Sequence, residues 1–163
     1  MRLVVADTSP IRYLLQIGYI ELLPQLFGKI LIPSVVYDEL THPSTPEVVR
    51  NWTISMSDWL EVSVAGDSND PSLRALDKGE KSAISLGLSL GAHLILIDER
   101  SGTAVARDKG FEVIGTIGVL DLAARRGMID LADAIARLRT TNFRRREALF
   151  DALLNQHKRG GHT

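Results

Sequence analysis

Short apolar segments alternate with stretches of helical period along this chain, and that alternation limits the possible fold more than any other feature. Apolar periodicity predicts strands at residues 2–6, 29–32, 60–64, 93–97 and 111–114. It predicts helices at residues 9–17, 19–27, a short stretch from Pro33, 44–52, 78–90, 101–109, 116–126, 130–139 and 143–158. Strands separated by helices pair in parallel, because right-handed crossovers place the helices on both faces of the sheet. The sequence therefore predicts an α/β fold, a three-layer α/β/α sandwich with a central, mostly parallel sheet.

The length and composition indicate one ordinary globular domain. A chain of 163 residues can bury about two-thirds of its unfolded surface in a single core, so we expect one domain over residues 1–163. No apolar run reaches the roughly 20 residues that span a bilayer. Asp7 and Pro10 interrupt the first apolar stretch, which argues against a signal peptide. Without a recognisable targeting segment, we expect a cytoplasmic protein. The sequence has no cysteine, so thiolate ligands and disulfides are excluded, and this is compatible with any compartment.

Charge is distributed unevenly along the chain. The formal net charge is −1, but residues 1–124 hold 10 basic and 16 acidic residues, whereas residues 125–163 hold 9 basic and 4 acidic residues. No global field therefore draws the protein to nucleic acid, while a basic helical part begins at about residue 125. Its run of Arg144, Arg145 and Arg146 could contact RNA or an acidic partner, or could form a solvated helix face.

Four acidic residues occupy positions that a parallel sheet would bring toward one edge. Asp7 and Asp98 each follow an apolar strand, and ligand sites gather at the carboxyl ends of such strands. Glu39 lies in the short helix after the second strand and Glu80 opens the helix at 78–90, so their approach depends on the fold. Carboxylates collected at one edge repel one another unless a cation lies among them. An all-oxygen site of this kind indicates a divalent metal and phosphate chemistry.

The same acids also admit purely structural roles. An acid after a strand often caps the following helix, as Asp7 could do, and negative charge in a first helical turn suits the helix dipole, as at Glu80. Asp38 and Glu39 point to different sides of one helix, and periodicity alone excludes neither from the site. Glu99, next to Asp98, is expected to face solvent or to play a modest supporting role.

The segment GLSLG at residues 87–91 matches the G-x-S-x-G pattern of a hydrolase elbow. Ser89, however, lies late in a helix that leads into a strand, which is the opposite of the required order. We interpret the pattern as a closely packed helix end with Gly91 as its C-cap.

Four segments, VVADTSP, IPSVVYDEL, DKGEKSAISLG and HLILIDE, occur in this order, and together they resemble PIN-domain nucleases, close to the VapC-type toxin ribonucleases of toxin–antitoxin systems. The resemblance extends from residue 1 to about residue 126. It implies active-site roles for four acids and a supporting hydroxyl. These residues are Asp7, Glu39, Glu80, Asp98 and, for the hydroxyl, Ser9. It also implies Mg²⁺ or Mn²⁺ as cofactor, cleavage of single-stranded RNA, a homodimer and a cognate small antitoxin.

The chain departs from this pattern at two positions. Leu96 stands two residues before Asp98, where many relatives have threonine or serine, so no hydroxyl is available there. Thr103 stands where the most similar branch has arginine, which weakens the expectation of a cationic phosphate contact at that position. Both departures bear on efficiency and substrate choice more than on the fold.

The function that these observations favour is a metal-dependent endoribonuclease, the toxin of a toxin–antitoxin pair. Asp7 and Asp98 are expected to anchor the principal ion, while Glu39 and Glu80 bind it through water or help to recruit a second ion. The alternative is a catalytically inactive PIN-like module that binds a protein partner or RNA. A phosphotransfer receiver domain would need paired acids after the first strand and a lysine after a late strand, and the sequence has neither.

Overall fold

The computed structural model describes residues 2–66, 68–144 and 147–160. Five strands and a set of helices alternate along these residues. The strands are β1 (Val4–Ala6), β2 (Ile30–Pro33), β3 (Leu60–Ser63), β4 (Leu94–Leu96) and β5 (Glu112–Ile114). The helices are α1 (Thr8–Gln16), α2 (Leu22–Phe27), α3 (Ser34–Leu40), α4 (Glu47–Ser55), α5 (Lys78–Leu90), α6 (Arg100–Asp108), α7 (Thr116–Arg125), α8 (Leu131–Arg139) and α9 (Glu147–Gly160). A short 3₁₀ turn, Pro71–Leu73, precedes α5.

The five strands form one sheet in the order β3-β2-β1-β4-β5, and every neighbouring pair is parallel. The chain builds outward from β1 through β2 to β3, then returns to the other side of β1 for β4 and β5. In the register of the two central strands, Ala6 lies opposite Leu96. The prediction of a central parallel sheet in an α/β/α sandwich is confirmed.

Both faces of the sheet are buried. The central strands therefore have continuous apolar sequences rather than alternating apolar and polar residues. Successive side chains of a strand point to opposite faces. Val4 and Val5 are 1% and 0% exposed, and in β4 both Leu94 and Ile95 are 0% exposed. Strands that are buried on both faces need helices packed on each side of the sheet, and the α/β/α arrangement supplies them.

Helix α5 packs along one face of the sheet and is the helix that contacts the central strands most extensively. Its Ala83 and Leu86 join Val5 and Leu31 in one apolar cluster. Its Ile84 joins a second cluster, with Leu73, Ile95, Ile97, Ala106 and Phe111. A Cβ on Gly87 would lie 2.8 Å from Ile95 Cδ1, so the helix approaches the sheet closely there. This geometry confirms that the GLSLG segment is a packed helix end, with Gly91 as the C-cap.

The helix boundaries differ from the predicted ones mainly at prolines and turns. α4 begins at Glu47 rather than near residue 44, because a residue that precedes proline is disfavoured in helical conformation and Pro46 becomes the N-cap. Pro33 is likewise the extended N-cap of α3 rather than its first helical residue. The longest helix of the described ranges, α9, has 14 residues. None of the helices in those ranges is long and apolar enough to cross a bilayer.

Contacts between residues divide the described chain into two compact units, one ending at Thr116 and one beginning at Ile117. The first contains the whole sheet. In the second, α8 and α9 pack together, with Arg139 over the ring of Phe150 at 5.3 Å. His157 Nε2 also lies 2.5 Å from Asp121 Oδ1 within this unit. A single domain over the whole chain stays a prediction.

The C-cap of α5 allows a direct test of backbone strain. Gly91 has φ +66°, and a Cβ there would meet no atom within 4 Å, so Gly91→Ala changes only the backbone energy. We expect this variant to lower the free energy of unfolding by about 1 kcal/mol in urea denaturation. Gly66→Ala is the matched control, since its Cβ also meets no atom and its φ lies outside the left-handed region. Equal losses in the two variants would contradict this explanation.

Candidate metal centre

The site lies at the ends of the two adjacent strands β1 and β4. The strand order changes direction there, because β2 and β3 lie on one side of β1 and β4 and β5 lie on the other. In open parallel sheets a crevice forms there, beyond the carboxyl ends of the two strands. Asp7 directly follows β1, and its backbone N–H donates to Leu96 O of β4 at 2.8 Å. Asp98 lies two residues after β4. The side chains of both acids are buried, at 5% and 8% exposure.

Glu39 comes to the same edge from α3. A Cβ built on Gly79 would lie 2.8 Å from Asp7 Oδ1 and 2.9 Å from Glu39 Oε2, so both carboxylates abut the first turn of α5. Thr8 Oγ1 donates a hydrogen bond to Glu39 Oε2. Asp38, the neighbour of Glu39, is exposed. The fold therefore selects Glu39 rather than Asp38 for proximity to Asp7.

Glu80 enters the site from the first turn of α5 and is 4% exposed. Its backbone N–H is capped by Asp77 Oδ1 at 2.9 Å. A Cβ on Gly102 of α6 would lie 2.7 Å from Glu80 Oε2, so the carboxylate fills the space that a glycine leaves. Glu80 Oε2 and Asp7 Oδ1 are buried and have no hydrogen-bond partner among the described residues.

Asp98 is held by the start of α7. Thr116 donates twice, from its backbone N–H to Asp98 Oδ1 and from Oγ1 to Asp98 Oδ2, both at 2.7 Å. Thr116 is fully buried. A Cβ on Gly115 would lie 2.6 Å from Asp98 Oδ1, so only glycine lets the backbone come this near. Because each carboxylate oxygen has two lone pairs, Asp98 keeps acceptor capacity for a further ligand.

Burial and repulsion among the carboxylates raise the pKa values of Asp7 and Glu80. Burial raises the pKa of Asp7 to about 7, and the negative charges of Asp77, Glu39 and Asp98 raise it too, against a hydrogen bond from the Thr8 backbone that lowers it. Burial also raises the pKa of Glu80 to about 8, followed by a hydrogen bond to Asp77 and the charges of Asp77, Asp7 and Glu99. Near neutral pH, a proton or a cation must offset this concentrated negative charge.

The donor set fits a hard divalent cation. All candidate ligands are carboxylates, two of their oxygens are buried without partners, and no lysine or arginine of the described ranges forms an ion pair with Asp7, Glu39 or Glu80. No group of three or more acidic or histidine side chains in those ranges already converges on one metal position. Mg²⁺ needs only one or two direct carboxylates and keeps several waters. Asp7 and Asp98 could supply these, with Glu39 and Glu80 as outer ligands.

The structure brings all four acids predicted from the sequence to one edge of the first unit. It also shows residues that sequence reasoning missed. Thr116, rather than a residue of β4, supplies the hydroxyl near Asp98, and Thr8 donates a hydrogen bond to Glu39. The supporting role of Ser9 stays a prediction. The position of Thr116, two residues after the predicted strand at 111–114, was a usable signal. Of the three consecutive arginines, Arg144 is exposed. The other two, Arg145 and Arg146, lie outside the described residues.

The geometry of this edge agrees with a comparison of the sequence with known families. A family model described as a PIN domain matches residues 3–159. The chain belongs to the PIN-domain family. PIN domains are generally nucleases, and the match spans both compact units. No curated protein and no solved structure gives a significant match to the chain.

The raised pKa of Asp7 predicts a pH-dependent stability of the metal-free PIN domain. The folded state holds the Asp7 proton up to about pH 7, whereas an unfolded chain releases it near the ordinary value of 3.8. Stability from this group is therefore complete below that value and is lost as the pH rises through about 7. Glu80 acts in the same direction. In EDTA, we expect the free energy of unfolding of the wild type to fall as the pH rises from 3.8 to about 7. In Asp7→Asn, we expect this fall to be smaller by about 1 to 3 kcal/mol.

Urea denaturation at a series of pH values measures this difference. Asp108→Asn, at an exposed position near the far end of α6, is the control and should keep the wild-type pH dependence. Parallel curves for wild type and Asp7→Asn would show that Asp7 does not hold a proton in the folded state.

The two hydrogen bonds from Thr116 to Asp98 predict that Thr116 affects the affinity for the metal. Thr116→Val keeps the β-branched shape and the backbone N–H but removes the Oγ1 donor. We expect Mn²⁺ to bind about 10- to 100-fold more weakly, as when outer partners of metal ligands are lost. Isothermal titration calorimetry measures the affinity, and Thr116→Ser, which keeps the hydroxyl, should bind nearly as wild type does. Equal affinities for the valine and serine variants would refute the role of the hydroxyl.

Proposed function

We propose that this PIN domain is a Mg²⁺- or Mn²⁺-dependent endoribonuclease that hydrolyses phosphodiester bonds of single-stranded RNA. The observation that carries the proposal is the pair of buried oxygens, Asp7 Oδ1 and Glu80 Oε2, without hydrogen-bond partners in the described part of the chain. A hard cation is the kind of partner that such oxygens lack. Phosphodiester hydrolysis needs positive charge at the place where negative charge develops on the phosphate.

In this proposal each acid has a separate task. Asp7 and Asp98 hold the principal ion, because they follow the two adjacent central strands. Glu39 and Glu80 hold water bound to that ion or help to hold a second one. When bound, the metal ion stabilises charge on the phosphate oxygens and lowers the pKa of its bound water. The expected products carry a 3′-hydroxyl and a 5′-phosphate.

The proposal extends to a biological role as the toxin of a toxin–antitoxin pair, in the cytoplasm. It rests on the ordered motifs that resemble VapC-type toxin ribonucleases and on membership of the PIN-domain family. The partners are then RNA as substrate, a cognate small antitoxin protein and a second copy of the chain in a homodimer. The basic segment that includes Arg144 contacts either RNA or the antitoxin.

The alternative is a PIN-like module that binds RNA or protein without turnover. The lack of three converged ligands among the described residues favours this alternative. Against it stand the two unpartnered buried oxygens, since a site that no longer binds a cation has no need to keep negative charge away from water.

A cleavage assay with variants of two acids of the site distinguishes the nuclease from the inactive binding module. Purified protein is incubated with labelled single-stranded RNA in Mg²⁺, in Mn²⁺ and in EDTA. We expect cleavage with either metal, none in EDTA, and at least about a hundredfold loss in Asp7→Asn and in Asp98→Asn. Asp108→Asn, the same substitution at an exposed position outside the site, should cleave at the wild-type rate.

Two outcomes would reject the enzyme. Equal cutting by Asp7→Asn and wild type would reveal a contaminating nuclease. RNA binding without any metal-dependent cleavage in the wild type would establish the inactive module instead.

A further inference from the structure

A groove of about 540 Å³ opens directly beside the acidic site and continues away from it. Its walls include Thr8 and Arg12 of α1, Asp38 and Glu39 of α3, and Lys78 of α5. We call it the α1–α3 groove. Thr8 and Glu39 belong to the groove and also to the hydrogen bond that borders Asp7. A ligand in the α1–α3 groove therefore reaches the edge where the metal would lie.

Arg12 is the unusual residue of this groove. It is half-buried, and no carboxylate in the described part of the chain forms an ion pair with it. Its Nε is buried and has no hydrogen-bond partner there, while the guanidinium lies 5.6 Å from the centre of the Tyr13 ring. Taking a cation partly out of water without an anion or acceptor is costly. Arg12 thus has one buried donor atom, Nε, without a partner, and no carboxylate of the described residues pairs with its charge.

Lys78 adds a second cation to the same groove. It is exposed and stands directly before Gly79, whose Cα abuts the carboxylates of Asp7 and Glu39. No ion pair involves Lys78 within residues 2–66, 68–144 and 147–160. The ammonium is therefore available close to the acidic site.

His42 adds an imidazole to the same wall. Its Nδ1 accepts the backbone N–H of Ser44 at 3.1 Å, which leaves Nε2 as the ring nitrogen that carries a hydrogen. The α1–α3 groove therefore presents a guanidinium, an ammonium and an imidazole N–H beside the carboxylates of Asp38 and Glu39. Planar and point-like cations together suit a phosphate, which a guanidinium binds through two parallel hydrogen bonds.

We propose that Arg12 and Lys78 bind a phosphate of the RNA backbone next to the scissile one, and so set the path of the single strand into the acidic site. This inference rests on the proposed function. RNA fits better than an acidic peptide because the groove is continuous with the carboxylate pair of Asp7 and Glu39. A chain with a phosphate at every residue can occupy the groove and the metal-bearing edge together. Phosphate contacts of this kind position the strand without reading its sequence.

Steady-state cleavage of single-stranded RNA with Mn²⁺ is compared for wild type, Arg12→Gln, Lys78→Gln and Arg12→Lys. We expect Arg12→Gln to raise KM about tenfold, the loss of one charge-assisted hydrogen-bonded contact, while kcat changes little. Arg12→Lys should be intermediate, since it keeps the charge but loses the planar fork. Arg107→Gln, at an exposed position near the end of α6, is the control and should match wild type.

Binding of the same RNA is measured by fluorescence anisotropy at several salt concentrations, with each variant combined with Asp7→Asn to prevent cleavage. Loss of one phosphate contact should reduce the slope of log Kd against log salt by about 0.7 for a single strand. A purely structural role of Arg12 would leave this slope unchanged. Lys78→Gln keeps the test decisive if thermal melting shows that Arg12→Gln does not fold.

The outcomes separate this inference from the proposed function. If wild type cleaves RNA while both glutamine variants keep its KM and its salt slope, the phosphate site is refuted and the nuclease stands. If the variants keep RNA binding but lose binding of an antitoxin protein, the groove is a protein site and the inference is again refuted. If wild type shows no metal-dependent cleavage, the proposed function itself fails.

Discussion

The site depends on a carboxylate buried between the two central strands. Asp7 lies at the carboxyl end of β1 with its backbone bonded to β4, and its Oδ1 has no hydrogen-bond partner among the described residues. A charge in such a place is costly unless it is paired. Glu80 and Asp98 add negative charge nearby instead of removing it. The metal-free site therefore retains protons near neutral pH, and a divalent cation would bind in competition with them.

Close approach at this edge is possible because three positions have no side chain. Gly79 faces Asp7 and Glu39, and Gly102 faces Glu80. Gly115 faces Asp98 and precedes Thr116, whose two donors fix that carboxylate. The site thus combines Asp98, whose two oxygens both accept hydrogen bonds from Thr116, with Asp7 and Glu80, each of which has one buried oxygen without a partner among the described residues.

Charge of the opposite sign lies immediately beyond the acids. Thr103 removes the cation that the resemblance would place on α6, but Arg12 and Lys78 line the groove next to Glu39. Acids at the sheet edge and two cations in the groove, which lie there beside Asp38 and Glu39, together suit a substrate that is anionic along its length and reacts at a metal. The excess of basic residues after residue 124 belongs to the second unit, and the phosphate contact proposed for the groove does not depend on it.

Sequence alone determined the strands, most helices and the parallel sheet, because burial on both sheet faces leaves unbroken apolar runs. It also singled out Asp7 and Asp98, since an acid after such a run stands out, whereas Glu39 and Glu80 lie on helices and were predicted with the help of the resemblance. The helix starts near Pro33 and Pro46 were missed by one and three residues, since local proline geometry outweighs apolar period. Only the tertiary structure decided that Glu39 and not Asp38 faces Asp7, that Thr116 holds Asp98, and that Arg12 lines the groove. The reason is physical: periodicity encodes which face of an element is buried, whereas the partners across that face come from distant segments that meet only when the chain folds.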